Sequence, residues 1–176
     1  MHPLIAPADL ATHLDDPDWA IFDCRHQLTD PGHGRRAYAA GHIPGARFAD
    51  TEADLCGPIA PETGRHPLPP WERFCTWLGE QGVDGQCTVV AYDDATGAIA
   101  ARLWWMLRVL GHTRVAVLDG GFARWGSAGL PQQQAAPRPT PRVYVAEPDR
   151  SQWLELAEVE DGLGQGGTLL VDARTA

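Results

Sequence analysis

The sequence has no Cys-x-x-Cys pair among its four cysteines, no low-complexity tract, a shortage of basic residues and no apolar run long enough to span a bilayer. Each absence removes a class. Cys24, Cys56, Cys75 and Cys87 lack the spacing of a zinc ribbon or a dithiol redox centre, and two of them sit inside apolar runs, as reduced buried thiols do. That usage points to a reducing compartment. Fourteen basic against twenty-three acidic residues give a net charge of −9, which disfavours a general affinity for nucleic acid or anionic membranes. The opening MHPLIAPADLATHL has no basic stretch and meets Asp9 before an apolar run forms, so it makes a poor signal peptide. The most apolar segment, 98–110, is broken by Arg102 and Arg108. These features together predict a cytoplasmic protein without membrane or nucleic-acid partners.

What remains is a globular composition, 44% hydrophobic and 21% charged, in 176 residues, enough for one packed domain with an appendage but not for two of ordinary size. Three short apolar runs end abruptly in polar residues: Trp19 to Phe22 before Asp23, Thr88 to Ala91 before Tyr92-Asp93, and Val115 to Leu118 before Asp119-Gly120-Gly121. They read as buried strands. Helical stretches lie around them at 7–14, 36–40, 71–81, 98–110 and 122–128. This alternation predicts an α/β sandwich with a mostly parallel central sheet flanked by helices. In such sheets the site forms beyond the carboxyl ends of the strands, which directs attention to the loops after Phe22 and Tyr92.

From 131 to 149 the composition turns proline-rich with no apolar period, as in a linker that leaves little for a core to hold. Beyond it, 151–161 regains helical character and Leu169-Leu170-Val171-Asp172-Ala173-Arg174 echoes Ala20-Ile21-Phe22-Asp23-Cys24-Arg25. A repeat at this separation suggests tandem copies of one fold. The expected division is a first domain at 1–130, a linker at 131–149, and at 150–176 the opening of a second copy interrupted after its first strand. A hydrophobic run followed by Asp-x-Arg is also common enough to arise by chance. The glycine run at 162–167 precedes a strand rather than following one, so it is not a dinucleotide loop. His26, His33 and His42 with Cys24 show no metal-ligand spacing, so neither metal nor cofactor is expected.

The stretches Asp23-Cys24-Arg25, Tyr38 to Ala46, His66-Pro67-Leu68-Pro69, Val90 to Asp93, Trp104 to Arg108 and Leu118 to Trp125 keep the order found in the rhodanese family, which the chain resembles over nearly all of residues 1 to 130. That family includes thiosulfate and 3-mercaptopyruvate sulfurtransferases, so the resemblance implies a sulfurtransferase acting on a small anionic sulfur donor. Such chemistry needs a stabilised thiolate to carry sulfur as a persulfide. In the family this cysteine opens a loop between a strand and a helix, where backbone N–H groups surround the sulfur with positive potential. Here that loop reads Asp93-Asp94-Ala95-Thr96-Gly97, and a carboxylate stands at the nucleophile position. The resemblance thus implies an inactive copy.

In two-domain members the cysteine loop belongs to the second domain, the implied partner of this chain. By resemblance to mercaptopyruvate sulfurtransferases, Glu52 would orient His66, which would shuttle a proton at that loop. A surface histidine in a proline-rich loop is the plainer reading of His66. Arg25, beside a strand end, is a candidate for drawing the anionic donor, while His33, Arg35 and Arg36 suit a solvated loop. Cys24 reads as a structural thiol. The competing function is a non-catalytic binding or regulatory module. A rhodanese-like phosphatase would need a Cys-x5-Arg loop after the central strand, and none is there.

Overall fold

A computed structural model describes residues 1–94, 96–163 and 169–171. Five strands, β1 (Leu4–Ile5), β2 (Trp19–Asp23), β3 (Arg47–Phe48), β4 (Thr88–Tyr92) and β5 (Val115–Leu118), form one sheet in the order β1-β5-β4-β2-β3, and every ladder is parallel. Between them run α1 (Pro7–Ala11), α2 (His33–Ala40), α3 (Trp71–Glu80) and α4 (Ala100–Val109), and α5 (Gly121–Ser127) follows β5. All five residues of β4 are buried, because the central strand is covered on both faces, and its apolar run is therefore continuous rather than alternating.

The pleat divides these residues between two cores. Phe22, Val89 and Ala91 point with Phe74 and Leu78 of α3 and Leu103, Met106 and Leu107 of α4. Ile21, Val90 and Tyr92 point the other way, with Leu10 of α1 and Trp125 of α5. The result is a three-layer α/β sandwich. β1 and β3, two residues each, went unread because so short a strand carries no periodic signal.

The proline-rich segment 131–149 has no helix or strand, yet it is not detached. Gln133 exchanges both backbone hydrogen bonds with His42, the Arg142 amide donates to the Gly79 carbonyl at 2.9 Å, and the Asp149 amide donates to Val109 at 2.8 Å. The Arg142 side chain bridges Asp84 and Asp18, and Tyr144 is buried in the α3–α4 core with its hydroxyl 3.1 Å from His112 Nδ1. The expectation that this stretch leaves little for a core to hold is thereby corrected. A Cβ on Gly79 would lie 2.5 Å from the Arg142 carbonyl oxygen, so a glycine in α3 lets the strap lie flat.

Within the expected second copy, a 3₁₀ turn (Arg150–Gln152) leads to α6 (Leu156–Gly162), none of whose residues is buried. Trp153 rests on Trp71, ring centroids 5.5 Å apart. Residues 169–171 are exposed and without regular structure. The remainder of the echoed strand, Asp172-Ala173-Arg174, and glycines 164, 166 and 167 lie outside the described residues.

Candidate functional site at the carboxyl edge of the sheet

β4 delivers Asp93 fully buried at the mouth of the β4–α4 loop. Its Oδ1 accepts the Gly97 amide at 2.8 Å, and its Oδ2 accepts the amides of Ile99 and Ala100, each at 2.8 Å. Thr96 and Gly97, both at positive φ, turn the chain back so that these N–H groups converge. The carboxylate therefore sits inside the concavity that a loop and a helix start make for an anion. The backbone is fixed from behind as well: the Phe122 amide donates to the Asp93 carbonyl at 2.8 Å, and a Cβ on Gly121 would come within 2.3 Å of that oxygen. Asp94 stays partly exposed and meets His33 Nε2 at 3.1 Å. Ala95 lies outside the described residues.

At the end of the neighbouring β2, Asp23 and Arg25 form a buried bidentate pair, with Nη2 to Oδ2 at 2.6 Å and Nε 3.0 Å from both oxygens. Arg25 Nη2 also donates to the Gly41 carbonyl at 2.7 Å, and its guanidinium lies 4.1 Å from the Phe122 ring centroid. The Tyr92 hydroxyl completes the network by donating to Asp23 at 2.8 Å and accepting the Ile43 amide at 3.2 Å. Arg25 thus ties β2 to the turn after α2 and to α5, and its geometry gives no support to the donor-binding role expected of it. The other basic side chains of that segment have partners too: Arg35 pairs with Asp50 at 2.8 Å, Arg36 pairs with Asp30, and His33 Nε2 meets Asp94.

Cys24 is fully buried, its Sγ 4.0 Å from the Phe22 carbonyl. Burial, then the charges of Asp23 and Asp93, pushes its thiol well above the ordinary value. Burial also raises Cys56, Cys75 and Cys87, so each of the four is a thiol rather than a thiolate near neutral pH.

Beside the closed loop lies an open one. His26, Thr51, His66, Ile99 and Arg102 line a cavity of about 200 Å³. Asp50 Oδ1 accepts the amides of Glu52 and Ala53, an Asx turn that fixes the backbone at Glu52. Glu52 Oε1 lies 4.0 Å from His66 Nε2, so the structure does bring together the pair expected from the resemblance, although at more than hydrogen-bonding distance. Arg102 holds the histidine's backbone: its guanidinium donates to the carbonyls of Leu55, His66 and Pro67 at 2.9 to 3.2 Å. His26 approaches His66 edge to face at 6.0 Å between ring centroids. His26 Nε2, Thr51 Oγ1 and His66 Nε2 are buried atoms without a hydrogen-bond partner. Burial lowers the affinity of His66 for its proton, His26 and Arg102 act in the same direction, and Glu52 opposes them.

Sequence reading missed Thr51 and Arg102, and met His26 only as one of several basic residues in a polar loop, without ligand spacing. The available signal was Arg102, a cation in the most apolar segment of the chain, where an unpaired charge is costly and a set of acceptors must be waiting.

Comparison with known proteins places these features in a family. A profile described as "Rhodanese-like domain" matches residues 6–128. The chain is 43% identical over 173 residues to a protein named "Probable 3-mercaptopyruvate sulfurtransferase" from Pseudomonas aeruginosa, covering 97% of this chain and 61% of that protein. It is 35% identical to the thiosulfate sulfurtransferase of Cricetulus griseus, covering 90% and 53% of the two chains. The crystal structure of a 3-mercaptopyruvate sulfotransferase from Escherichia coli superposes with a TM-score of 0.80 at 31% identity, covering 92% of this chain and 62% of that one. The chain therefore spans between about half and three fifths of the length of these relatives.

Proposed function

The chain belongs to the rhodanese family of sulfurtransferases, and on that premise we propose that it is the non-catalytic amino-terminal domain of a two-domain enzyme that moves sulfur from 3-mercaptopyruvate or thiosulfate to a thiol or cyanide. In this reading residues 1–130 form the domain, 131–149 connect it, 150–176 open the second copy, and the persulfide cysteine lies on that second domain. The observation that carries the inactive assignment is the Asp93 carboxylate, which already takes three amides of the anion-binding loop. A carboxylate carries no sulfane sulfur, and its charge at that position repels an anionic donor.

What the domain supplies is the Glu52–His66 pair. With thiosulfate, a cysteine thiolate attacks the outer sulfur, a persulfide forms and sulfite leaves; an acceptor thiolate then takes the terminal sulfur and returns the cysteine as thiolate. The acceptor must first lose its proton. His66 suits that task because its lowered proton affinity leaves the imidazole neutral near pH 7, with Nε2 free to accept. Among the described residues no helix is long and apolar enough to cross a membrane.

The direct test is to incubate the purified 176-residue chain with thiosulfate and assay cyanolysable sulfur. We expect none above a heat-unfolded control. A stoichiometric persulfide on any of its cysteines would sink the assignment of this domain as inactive.

A further inference from the structure

We propose that His26, Glu52 and His66 form a binding site for a borderline transition-metal dication such as Zn²⁺, and that its occupancy regulates the domain. Their ligand-type atoms, the two imidazole nitrogens and a carboxylate oxygen, all lie within 4.8 Å of one another. Two histidines with one carboxylate is a donor set suited to zinc, with a fourth position left for water. The three residues come from separate loops, at 26, 52 and 66, which is why no ligand spacing shows in the sequence.

A second observation points to a ligand. His26 is only 7% exposed and its Nε2 has no partner, and the buried His66 Nε2 has none either. Buried imidazole nitrogens are normally satisfied, so two orphans facing one cavity call for an electron-pair acceptor. Tetrahedral coordination at zinc–ligand lengths of about 2.1 Å needs ligand atoms about 3.4 Å apart, so the trio must close by up to about 1.4 Å. Glu52 is the member free to move, since its side chain is 51% exposed. Arg102 lines the same cavity and its charge opposes a cation. That guanidinium is turned onto three backbone carbonyls, and Glu52 supplies a charge of the opposite sign.

A metal on His66 Nε2 would remove the nitrogen that accepts the proton, so the inhibitory consequence rests on the sulfurtransferase reading. The binding itself does not. Co²⁺ titrated into the 176-residue chain at pH 7.5 serves as the spectroscopic probe. One equivalent should bind with weak visible d–d bands, be displaced by Zn²⁺, and show none of the intense near-ultraviolet absorption of a cobalt thiolate. His26→Gln and Glu52→Gln should each weaken binding at least about tenfold, on the scale seen when a metal site loses one of its supporting groups, while His13→Gln should not. Circular dichroism checks the buried His26→Gln variant; Glu52→Gln changes an exposed side chain and keeps the test decisive if that variant unfolds. Absence of binding, binding indifferent to both variants, or a thiolate band would each overturn the site. Failure here leaves the sulfurtransferase assignment standing, and a persulfide on this chain would leave the metal site standing.

Discussion

Two loops at the same edge of the sheet, both touching the start of α4, have opposite characters. In the β4–α4 loop every described donor that converges on the centre is already taken, by Asp93 from the same chain. In the cavity lined by His26, Thr51 and His66, three buried polar atoms have no partner. Unmet polar groups are costly, and a domain retains them where something outside the fold completes them. The closed loop spends its donors within the chain, and the open cavity leaves polar atoms unpaired.

The largest blow to this contrast is to empty the closed loop. Asp93→Ala leaves three amides unsatisfied, that of Ala100 buried and those of Gly97 and Ile99 part-buried, and removes the cap from α4, so the chain should lose about 3 kcal/mol of stability, with Asp93→Asn losing clearly less because one amide oxygen still accepts. Denaturant unfolding of the three proteins measures this. If Asp93→Ala unfolds within about 0.5 kcal/mol of the parent, water has replaced the carboxylate and the loop was never closed by it.

How much of this contrast the sequence could show follows from where each residue's partners lie. β2, β4 and β5 were legible because buried parallel strands are apolar throughout, and the five helices around them because they carry apolar faces. Asp93 was legible from its place after the central strand. Its partners were not, since backbone amides have no letter in the sequence. Tyr144 was lost in the proline-rich strap because one anchoring aromatic makes no period. The open cavity was half legible: Glu52 and His66 came from the family resemblance, while His26 was one histidine among several in a polar loop. Arg102 was seen only as an interruption of an apolar segment, although what it interrupts for is the set of carbonyls it holds.

A smaller effect comes from loosening the open side. Arg102→Met keeps much of the side chain's apolar bulk but releases the carbonyls of Leu55, His66 and Pro67, at a cost of about 2 kcal/mol offset in part by water reaching them. The 55–67 loop should open more often. The Gly57 amide, bonded to the Pro67 carbonyl at 3.0 Å, reports it: its hydrogen exchange should quicken at least about tenfold, while the Gly97 amide in the closed loop stays slow. Equal acceleration of both amides would mean that the two loops form one unit and the contrast is false.

The smallest expected effect isolates the charge that faces His66. Glu52 is half exposed, so Glu52→Gln should leave stability within about 0.5 kcal/mol of the parent. Glu52 is the neighbour that raises the proton affinity of His66 against burial, His26 and Arg102. Removing it must therefore move the His66 titration further below the ordinary histidine value of 6.5, which proton NMR of the ring resonances follows directly. The sign carries into stability. A histidine that holds its proton less tightly folded than unfolded takes one up on unfolding, so stability rises with pH in the window between the depressed folded value and about 6.5, and is lost as pH falls through it. Glu52→Gln widens that window on its acid side. Because the carboxylate acts across 4.0 Å at a half-exposed position, added salt should shrink the difference between the two proteins. A His66 titration that does not move in Glu52→Gln at low salt would show that the carboxylate has no hold on the imidazole, and the open cavity would then lack the acid–base pair that the proposed chemistry needs.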